Sequence, residues 1–227
     1  MHIIKKEEIE TIRTPTEIYK WVFTTLDKFV SKEEVNLLRG MPYNGIIKTF
    51  VEESYPLAIF CNNYFSEDSS VKIHHTVGDK SPDVQVKNCN DFNYIEITYA
   101  KDGQDEILRF EKLNDTLSVP KFGSIDKKYN KNSTKRTISL NGVALSHNEI
   151  IEECKKLIKQ VVAKKVKKQK NNRYPDKTML IVAFDDISFK SKEDISNIKL
   201  FMINELNPTI GKFSGLALVG MSGKLCI

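Results

Sequence analysis

The N-terminal part of the chain has apolar residues at helical spacing. They recur every three or four positions over 18–26, directly after Thr14, which is followed by a proline and, three residues on, by a glutamate. A capping threonine, a proline in the first turn and a glutamate at that spacing together predict the start of a helix. A second capping pattern at Ser31 predicts another helix. The apolar positions of 46–64 predict a longer helix that Pro56 kinks or restarts.

The middle of the chain changes from helical spacing to alternation of apolar and polar residues, which is typical of strands. The segments that predict strands are 71–74, 83–86 and 94–99. Asp102 and Gly103 then predict a hairpin turn with a returning strand at 106–110. The polar segment 111–145 is expected to be irregular, with 137–140 as a candidate extra strand.

The last third of the chain predicts alternating helices and strands. Ser146 and Glu149 form a capping box at the start of a helix, which Tyr174 and Pro175 end. The apolar stripe predicted for this helix consists of Ile150, Cys154, Leu157, Ile158 and Val161. The unbroken apolar run 179–184 predicts a strand covered on both faces. The remaining predicted elements are a helix at 191–206 and a strand at 214–220.

These elements predict an α/β protein with a mixed central sheet flanked by helices. Residues 1–40 are expected to form an N-terminal helical extension, and 41–227 an α/β domain. Within that domain, 102–145 is expected to be a β-hairpin or flap insertion.

Composition narrows the class of protein. The 227 residues, 40% of them hydrophobic and 29% charged, fit a soluble globular protein. No run of about 18 apolar residues predicts a membrane span, and the start of the chain does not resemble a signal peptide, so we expect a cytoplasmic protein with no membrane partner. The four cysteines are scattered with no CxxC pair, which argues against a disulfide framework or a zinc cluster. The sequence contains no serine-hydrolase or P-loop motif.

Two carboxylates stand out among the predicted strands. Asp83 begins the second strand, and Glu96 lies inside the third, where alternation turns Ile95 and Ile97 to one face and Glu96 to the other. A charged side chain in so apolar a strand is costly without a partner, and a metal ion is one such partner. Carboxylates on neighbouring strands can hold Mg²⁺ or Mn²⁺, which can activate water and stabilise charge on a phosphodiester.

Two other clusters have plainer interpretations. Asp185 and Asp186 are more simply explained as the end of a strand and the cap of the next turn than as metal ligands. His74 and His75 are adjacent, so they face opposite sides of a strand. A solvated or hydrogen-bonded histidine fits this arrangement better than a metal-binding pair.

The residues Ser81-Pro82-Asp83, a turn, and then Glu96-Ile97-Thr98 resemble the PD-(D/E)XK phosphodiesterase superfamily, which has the restriction-endonuclease-like fold. The core of that family is a helix, three strands, a helix and a strand, and the predicted order from about 43 to 184 resembles it. The segments 52–57, 95–103 and 180–186 also resemble an uncharacterised bacterial branch of the superfamily. The resemblance implies a restriction-endonuclease-like sheet and Mg²⁺-dependent hydrolysis of nucleic acids.

The resemblance also implies roles for particular residues. Asp83 and Glu96 would bind Mg²⁺ or Mn²⁺. A glutamate from the first core helix, Glu53 or Glu52, would complete the metal site. Asp83, Glu96 and Glu53 are therefore the predicted metal ligands, and with a lysine they form the predicted catalytic set.

The position of that lysine departs from the family pattern. The family lysine should stand where this chain has Thr98, and threonine cannot supply a positive charge to a water or a phosphate. In some family members the lysine moves to the following helix, where Lys164, Lys165 and Lys168 lie. Lys165 is the first choice, because it follows Val161 by four residues and so lies close to the predicted buried stripe.

Basic residues are concentrated between 155 and 173. That segment holds nine lysines and arginines and no acid, although the whole chain carries a formal charge of only +5. A lysine-rich helix face is often simply solvated, but lysines can also bind phosphates and release counterions. The tyrosine in the insertion could stack on a base. The predicted nucleic-acid-binding residues are Lys164, Lys167, Lys168, Lys127, Lys128 and Tyr129.

The leading hypothesis is therefore a Mg²⁺-dependent nuclease. The alternative is a non-catalytic protein of the same fold that binds nucleic acid or a protein partner, and Thr98 favours it. A third hypothesis is a nuclease or toxin subunit that acts only with an operon-encoded partner. The sequence leaves open a homodimer and the choice between DNA and RNA.

Overall fold

The computed structural model of the chain describes residues 4–29, 45–67, 69–78, 81–101, 123–129 and 136–227. The α-helices are α1 (Lys6–Ile9), α2 (Pro15–Phe29), α3 (Gly45–Thr49), α4 (Tyr55–Tyr64), α5 (His147–Lys170) and α6 (Lys192–Phe201). Wider π-helical turns join α3 to α4 (Phe50–Ser54) and extend α6 (Met202–Leu206), and a short 3-10 turn follows (Asn207–Thr209). The strands are β1 (Lys72–His75), β2 (Val84–Lys87), β3 (Tyr94–Tyr99), β4 (Gly123–Tyr129), β5 (Arg136–Gly142), β6 (Thr178–Phe184) and β7 (Gly215–Gly220).

Five strands form one mixed sheet in the order β1-β2-β3-β6-β7. The first three are antiparallel neighbours, with His75 opposite Val84 and Val84 opposite Ile95. The last three run parallel, and Glu96 of β3 lies opposite Leu180 of β6. The parallel strands are connected through α5 and α6, because a parallel pair needs a crossover of a dozen or more residues. The prediction of a mixed sheet flanked by helices is confirmed.

Hydrophobic clusters cover both faces of the sheet. One contains Ile95, Ile97 and Ile181 and packs against α2 and α4. The other contains Leu180 and Val182 and packs against α5 and α6. Every residue of β6 is buried, as its continuous apolar sequence predicts. None of the described helices is long and apolar enough to cross a membrane.

Local signals place the N-terminal helices correctly. The backbone amide of Thr14 donates to the Glu17 carboxylate (2.7 Å), and the Glu17 amide donates to the Thr14 hydroxyl (3.3 Å), which is the predicted capping box of α2. Pro56 was expected to kink or restart the next helix. The restart is confirmed: a π-helical turn, in which the Tyr55 amide donates to the Phe50 carbonyl, ends at Ser54, and α4 begins at Tyr55 with Pro56 in its first turn.

Helix α5 begins as predicted, but its buried face differs from the predicted stripe. The Ser146 hydroxyl accepts from the Glu149 amide (3.4 Å), so the capping box is confirmed. The helix ends at Lys170, a few residues before Tyr174. The fully buried side chains are Ile151, Ile158, Val161, Val162 and Gln169, whereas Ile150, Cys154 and Leu157 are only partly buried. Contact with the sheet selects this face, and helical periodicity alone does not determine where the face is centred.

The insertion contains a second, two-stranded sheet. β4 pairs antiparallel with β5, with Ile125 opposite Leu140. The candidate strand at 137–140 is confirmed, but the expectation of irregular structure is wrong for 123–129. The sequence of 123–129 is polar and does not predict a strand. Pairing with β5 nevertheless holds it in the extended conformation of a strand. The predicted turn at 102–103, the strand at 106–110 and the helix from Ser31 all lie outside the described residues.

Candidate active site

Glu96 is the buried centre of the site. Strand alternation turns its side chain to the α5 face of the sheet, where it is 4% exposed. Three donors reach its carboxylate. Lys165 Nζ and Tyr174 Oη donate to Oε1 at 2.5 and 3.1 Å, and Ser81 Oγ donates to Oε2 at 2.9 Å. A buried carboxylate is stable only when it is paired and hydrogen-bonded, and these three groups provide that pairing for Glu96.

Asp83 lies beside Glu96 but is not on a strand. It immediately precedes β2, whereas the sequence pattern placed it at the start of that strand. Its Oδ2 accepts a hydrogen bond from the backbone amide of Ile97 at 2.7 Å, which fixes the carboxyl against β3. Burial, followed by the charges of Glu96 and Glu53, raises the Asp83 pKa to about 8, although the Ile97 bond and the Lys165 charge act in the opposite direction.

The two helix glutamates lie on the π-helical turn and have different partners. Glu53 Oε2 lies 2.9 Å from Nε2 of His75, and its charge is one of those that act on Asp83. Glu52 Oε1 instead accepts from Lys101 Nζ at 2.5 Å. Of the two alternatives, Glu53 is therefore the one that acts on Asp83.

His75 connects Glu53 to the interior of the protein. Its ring is 3% exposed, and its second nitrogen, Nδ1, lies 3.0 Å from the hydroxyl of Ser54. Each ring nitrogen therefore has a hydrogen-bond partner, Nε2 the Glu53 carboxylate and Nδ1 the Ser54 hydroxyl. This chain of hydrogen bonds orients the Glu53 carboxylate. His75 is thus the hydrogen-bonded histidine that the sequence favours, although its partners could not be foreseen.

Lys165 reaches the site from α5, as the predicted substitute for the missing family lysine. Its ammonium contacts Glu96, and its side chain is 16% exposed. Thr98 lies two residues beyond Glu96 on β3 and lines a groove of about 470 Å³ together with Lys164, Lys165, Lys167, Lys168 and Asn171. The groove therefore begins next to the buried carboxylate.

Two further sets of residues were considered from the sequence, one in the insertion and one at the end of β6. Lys127, Lys128 and Tyr129 belong to β4, whose side chains are outside the described part of the structure. Asp185 accepts from the Ile187 amide at 3.1 Å, which agrees with a cap on the turn after β6. Asp186 is buried and accepts from both the amide and the hydroxyl of Ser222, at 2.7 and 2.6 Å.

The acidic side chains of the site would have to move before they could bind a metal ion. Among the described residues, no group of three or more His, Cys, Asp or Glu side chains is arranged to hold a metal ion. The Lys165 ammonium lies against the Glu96 oxygen that a cation would otherwise contact.

Sequence reasoning missed three of the groups that shape the site. These are Ser81 and Tyr174, which donate to Glu96, and His75, which bonds to Glu53. The only local signal was the position of Ser81 within the Ser81-Pro82-Asp83 motif. Comparison with known proteins adds no further assignment, because no family model, curated protein or solved structure matches the chain.

Proposed function

We propose that this protein is a metal-dependent phosphodiesterase of the PD-(D/E)XK type that hydrolyses nucleic acids. The observation that carries the proposal is the contact of Lys165 with buried Glu96, beside Asp83. Lys165, from the following helix, would supply the positive charge that Thr98 cannot. The resemblance requires a positive charge beside these carboxylates. The lysine-lined groove then leads away from these groups.

The arrangement of elements supports the same proposal. A helix, α4, is followed by the three antiparallel strands β1–β3, the crossover helix α5 and the parallel strand β6. This is the core order expected of the superfamily, with β7 as a further parallel strand. Fold alone does not establish an activity, so the proposal depends on the side chains.

The donor set suits a hard divalent cation. Mg²⁺ binds through one or two carboxylates and keeps several waters, so Asp83 and Glu96 would be the ligands, and Glu53 would join them only if the side chains moved from their present arrangement. When bound, Mg²⁺ would lower the pKa of a coordinated water and stabilise charge on the phosphodiester. Burial first, and then the charges of Glu96 and Glu53, raise the Asp83 pKa, and a bound cation would offset the repulsion among these carboxylates.

Each protein group then has a definable task. Asp83, with its pKa raised to about 8, holds its proton near neutral pH and would release it on binding a cation. Lys165 pairs with Glu96 in the free protein and, since it also lines the groove, would supply positive charge to a phosphate bound there. The hydrogen bond with His75 holds one Glu53 oxygen in place, and the buried Tyr174 hydroxyl does the same for one Glu96 oxygen.

Hydrolysis of defined substrates tests the proposal. Single- and double-stranded DNA and RNA are incubated with the protein and Mg²⁺ or Mn²⁺, and cleavage is compared with that of Asp83→Asn and Glu96→Gln. We expect cleavage by the wild type and a loss of at least about 100-fold in either variant, since each removes a charge from the reacting centre. Asp176→Asn and Glu153→Gln, at solvent-accessible positions, are the matched controls. Cleavage that is equal in all five proteins would contradict the proposal.

One observation favours the alternative, a non-catalytic protein that binds nucleic acid. Glu96 already has three donors, including a cation, and needs no metal to be stable. Calorimetric titration with Mn²⁺ distinguishes the two functions. Binding that releases protons and weakens in Asp83→Asn supports the phosphodiesterase, whereas nucleic-acid binding with neither Mn²⁺ binding nor hydrolysis supports the alternative.

A further inference from the structure

The lysines of α5 fall into two groups that differ in their partners. In the first half of the helix each lysine is paired with a nearby acid, at distances of 2.8, 3.1 and 3.0 Å: Lys155 with Glu152, Lys156 with Glu153 and Lys159 with Glu205. In the second half, Lys165 is paired with Glu96. Within the described part of the chain, no ion pair involves Lys164, Lys167 or Lys168. The uncompensated charge of the helix is therefore concentrated in its second half.

These three lysines share the groove beside Thr98. Thr98 and Asn171 add a hydroxyl and an amide to its lining, and Lys165 links it to the buried carboxylates. The pKa of one groove lysine, Lys168, reflects both its burial and the positive charge around it. Partial burial, followed by the charges of Lys165 and Arg173, lowers the pKa of Lys168, although Glu96 and Asp83 oppose this. An anion in the groove would relieve that repulsion.

We propose that this groove binds the phosphodiester backbone of a nucleic acid. Lys164, Lys167 and Lys168 hold successive phosphates, and Thr98 and Asn171 donate hydrogen bonds to phosphate oxygens. The first-half lysines contribute little, because their charges are already compensated. The inference rests on the proposed function for its choice of nucleic acid as the ligand, and it narrows the binding surface to one half of one helix.

Two matched variants test the proposal. Lys164→Gln, Lys167→Gln and Lys168→Gln are combined in a groove variant, and Lys155→Gln, Lys156→Gln and Lys159→Gln in a control variant. Each removes three positive charges from the same helix. Fluorescence anisotropy measures the binding of labelled single-stranded DNA and RNA 20-mers from 0.05 to 0.5 M KCl. EDTA is present so that cleavage does not interfere, and circular dichroism checks that both variants are folded.

We expect the groove variant alone to lose most of the salt dependence. Each single-strand phosphate contact releases about 0.7 counterion, so losing three contacts should reduce the slope of log K against log salt by about 2. Over one decade of salt a slope difference of about 2 is about 100-fold, so if the two proteins bind equally at 1 M salt, the groove variant should bind roughly 100-fold more weakly than the wild type at 0.1 M. The control variant should bind within about threefold of the wild type, because the charges it removes are already compensated.

Three results would overturn the proposal. Equal losses in both variants would mean that only the total charge matters. Unchanged binding in the groove variant would assign its lysines to solubility. Competition by polyglutamate as strong as that by an oligonucleotide of equal charge would indicate an acidic protein as the ligand instead.

The two proposals can fail separately. Groove-dependent binding without hydrolysis in Mg²⁺ would support the groove and contradict the phosphodiesterase. Hydrolysis in Mg²⁺ together with unchanged binding in the groove variant would support the phosphodiesterase and contradict the groove.

Discussion

Removing the Lys165 ammonium should destabilise the fold, because it leaves the Glu96 carboxylate buried without its cation. Removing one partner of a buried ion pair costs about 3–5 kcal/mol. The Lys165 and Glu96 side chains are 16% and 5% exposed. Glu96 also keeps its hydrogen bonds from Tyr174 and Ser81. We therefore expect the lower end of that range, about 3 kcal/mol, for Lys165→Met.

Urea denaturation followed by far-ultraviolet circular dichroism measures this loss. The experiment is done at pH 7 with EDTA, so that adventitious metal cannot replace the ammonium. Lys156→Met is the matched control on the same helix. Its side chain is 61% exposed, and its ammonium pairs with a half-exposed glutamate. Its loss should therefore cost less than about 0.5 kcal/mol in the free energy of unfolding.

A double variant separates the ion pair from the packing of the lysine stem. Glu96→Gln removes the stranded charge while keeping an oxygen that can accept from Tyr174. Lys165→Met combined with Glu96→Gln should therefore be at least about 1 kcal/mol more stable than Lys165→Met alone. The reasoning is refuted if Lys165→Met unfolds within about 0.5 kcal/mol of the wild type, or if the two substitutions are simply additive.

Three further predictions concern strand packing, pH and helix capping. Gly220→Ala should lower stability by about 1–3 kcal/mol in urea denaturation, because its added methyl group would lie 2.2 Å from the buried Asp186 carboxylate. Gly215→Ala on the same strand meets only ordinary contacts, the nearest at 3.8 Å, and should not show this loss. The pKa of Asp83 is raised to about 8 in the fold, so the folded state holds that proton more tightly than the unfolded chain does. Its contribution should be complete below about pH 4 and be lost as the pH rises toward 8. Asp83→Asn should flatten that fall in the urea midpoint, and an unchanged pH profile would contradict the assignment. Ser146→Ala removes the side-chain acceptor at the start of α5 and should cost about 1 kcal/mol in thermal unfolding, whereas a neutral effect would mean that the cap contributes nothing.

Local sequence signals were sufficient to predict an element wherever a short segment determines its own conformation. The caps at Thr14 and Ser146 use groups three residues apart, so they could be read directly from the sequence. The strand 94–99 was predicted with its observed bounds, because its alternating β-prone residues suit a half-buried strand. The prediction failed at 123–129, where a polar segment becomes a strand by pairing with β5.

The candidate site could be predicted in part because its residues obey sequence rules. Glu96 is a charge in an apolar strand, and Lys165 lies one helical turn from a buried valine, so both could be singled out. The choice of Glu53 over Glu52 could not be made in this way. A π-helical turn changes the direction of successive side chains, and no sequence pattern announced that turn here.

The sequence by itself determined the kinds of element, their order and the two carboxylates at the centre of the site. Only the tertiary structure decided which groups meet them, because Lys165, Tyr174 and His75 come from separate elements that the sheet and its helices bring together. It also decided which lysines of the basic helix remain uncompensated, since one of the neutralising acids, Glu205, comes from another part of the chain. Local conformation depends on neighbours within a few residues. The charge balance of a buried site depends on distance in space, which the order of residues does not contain.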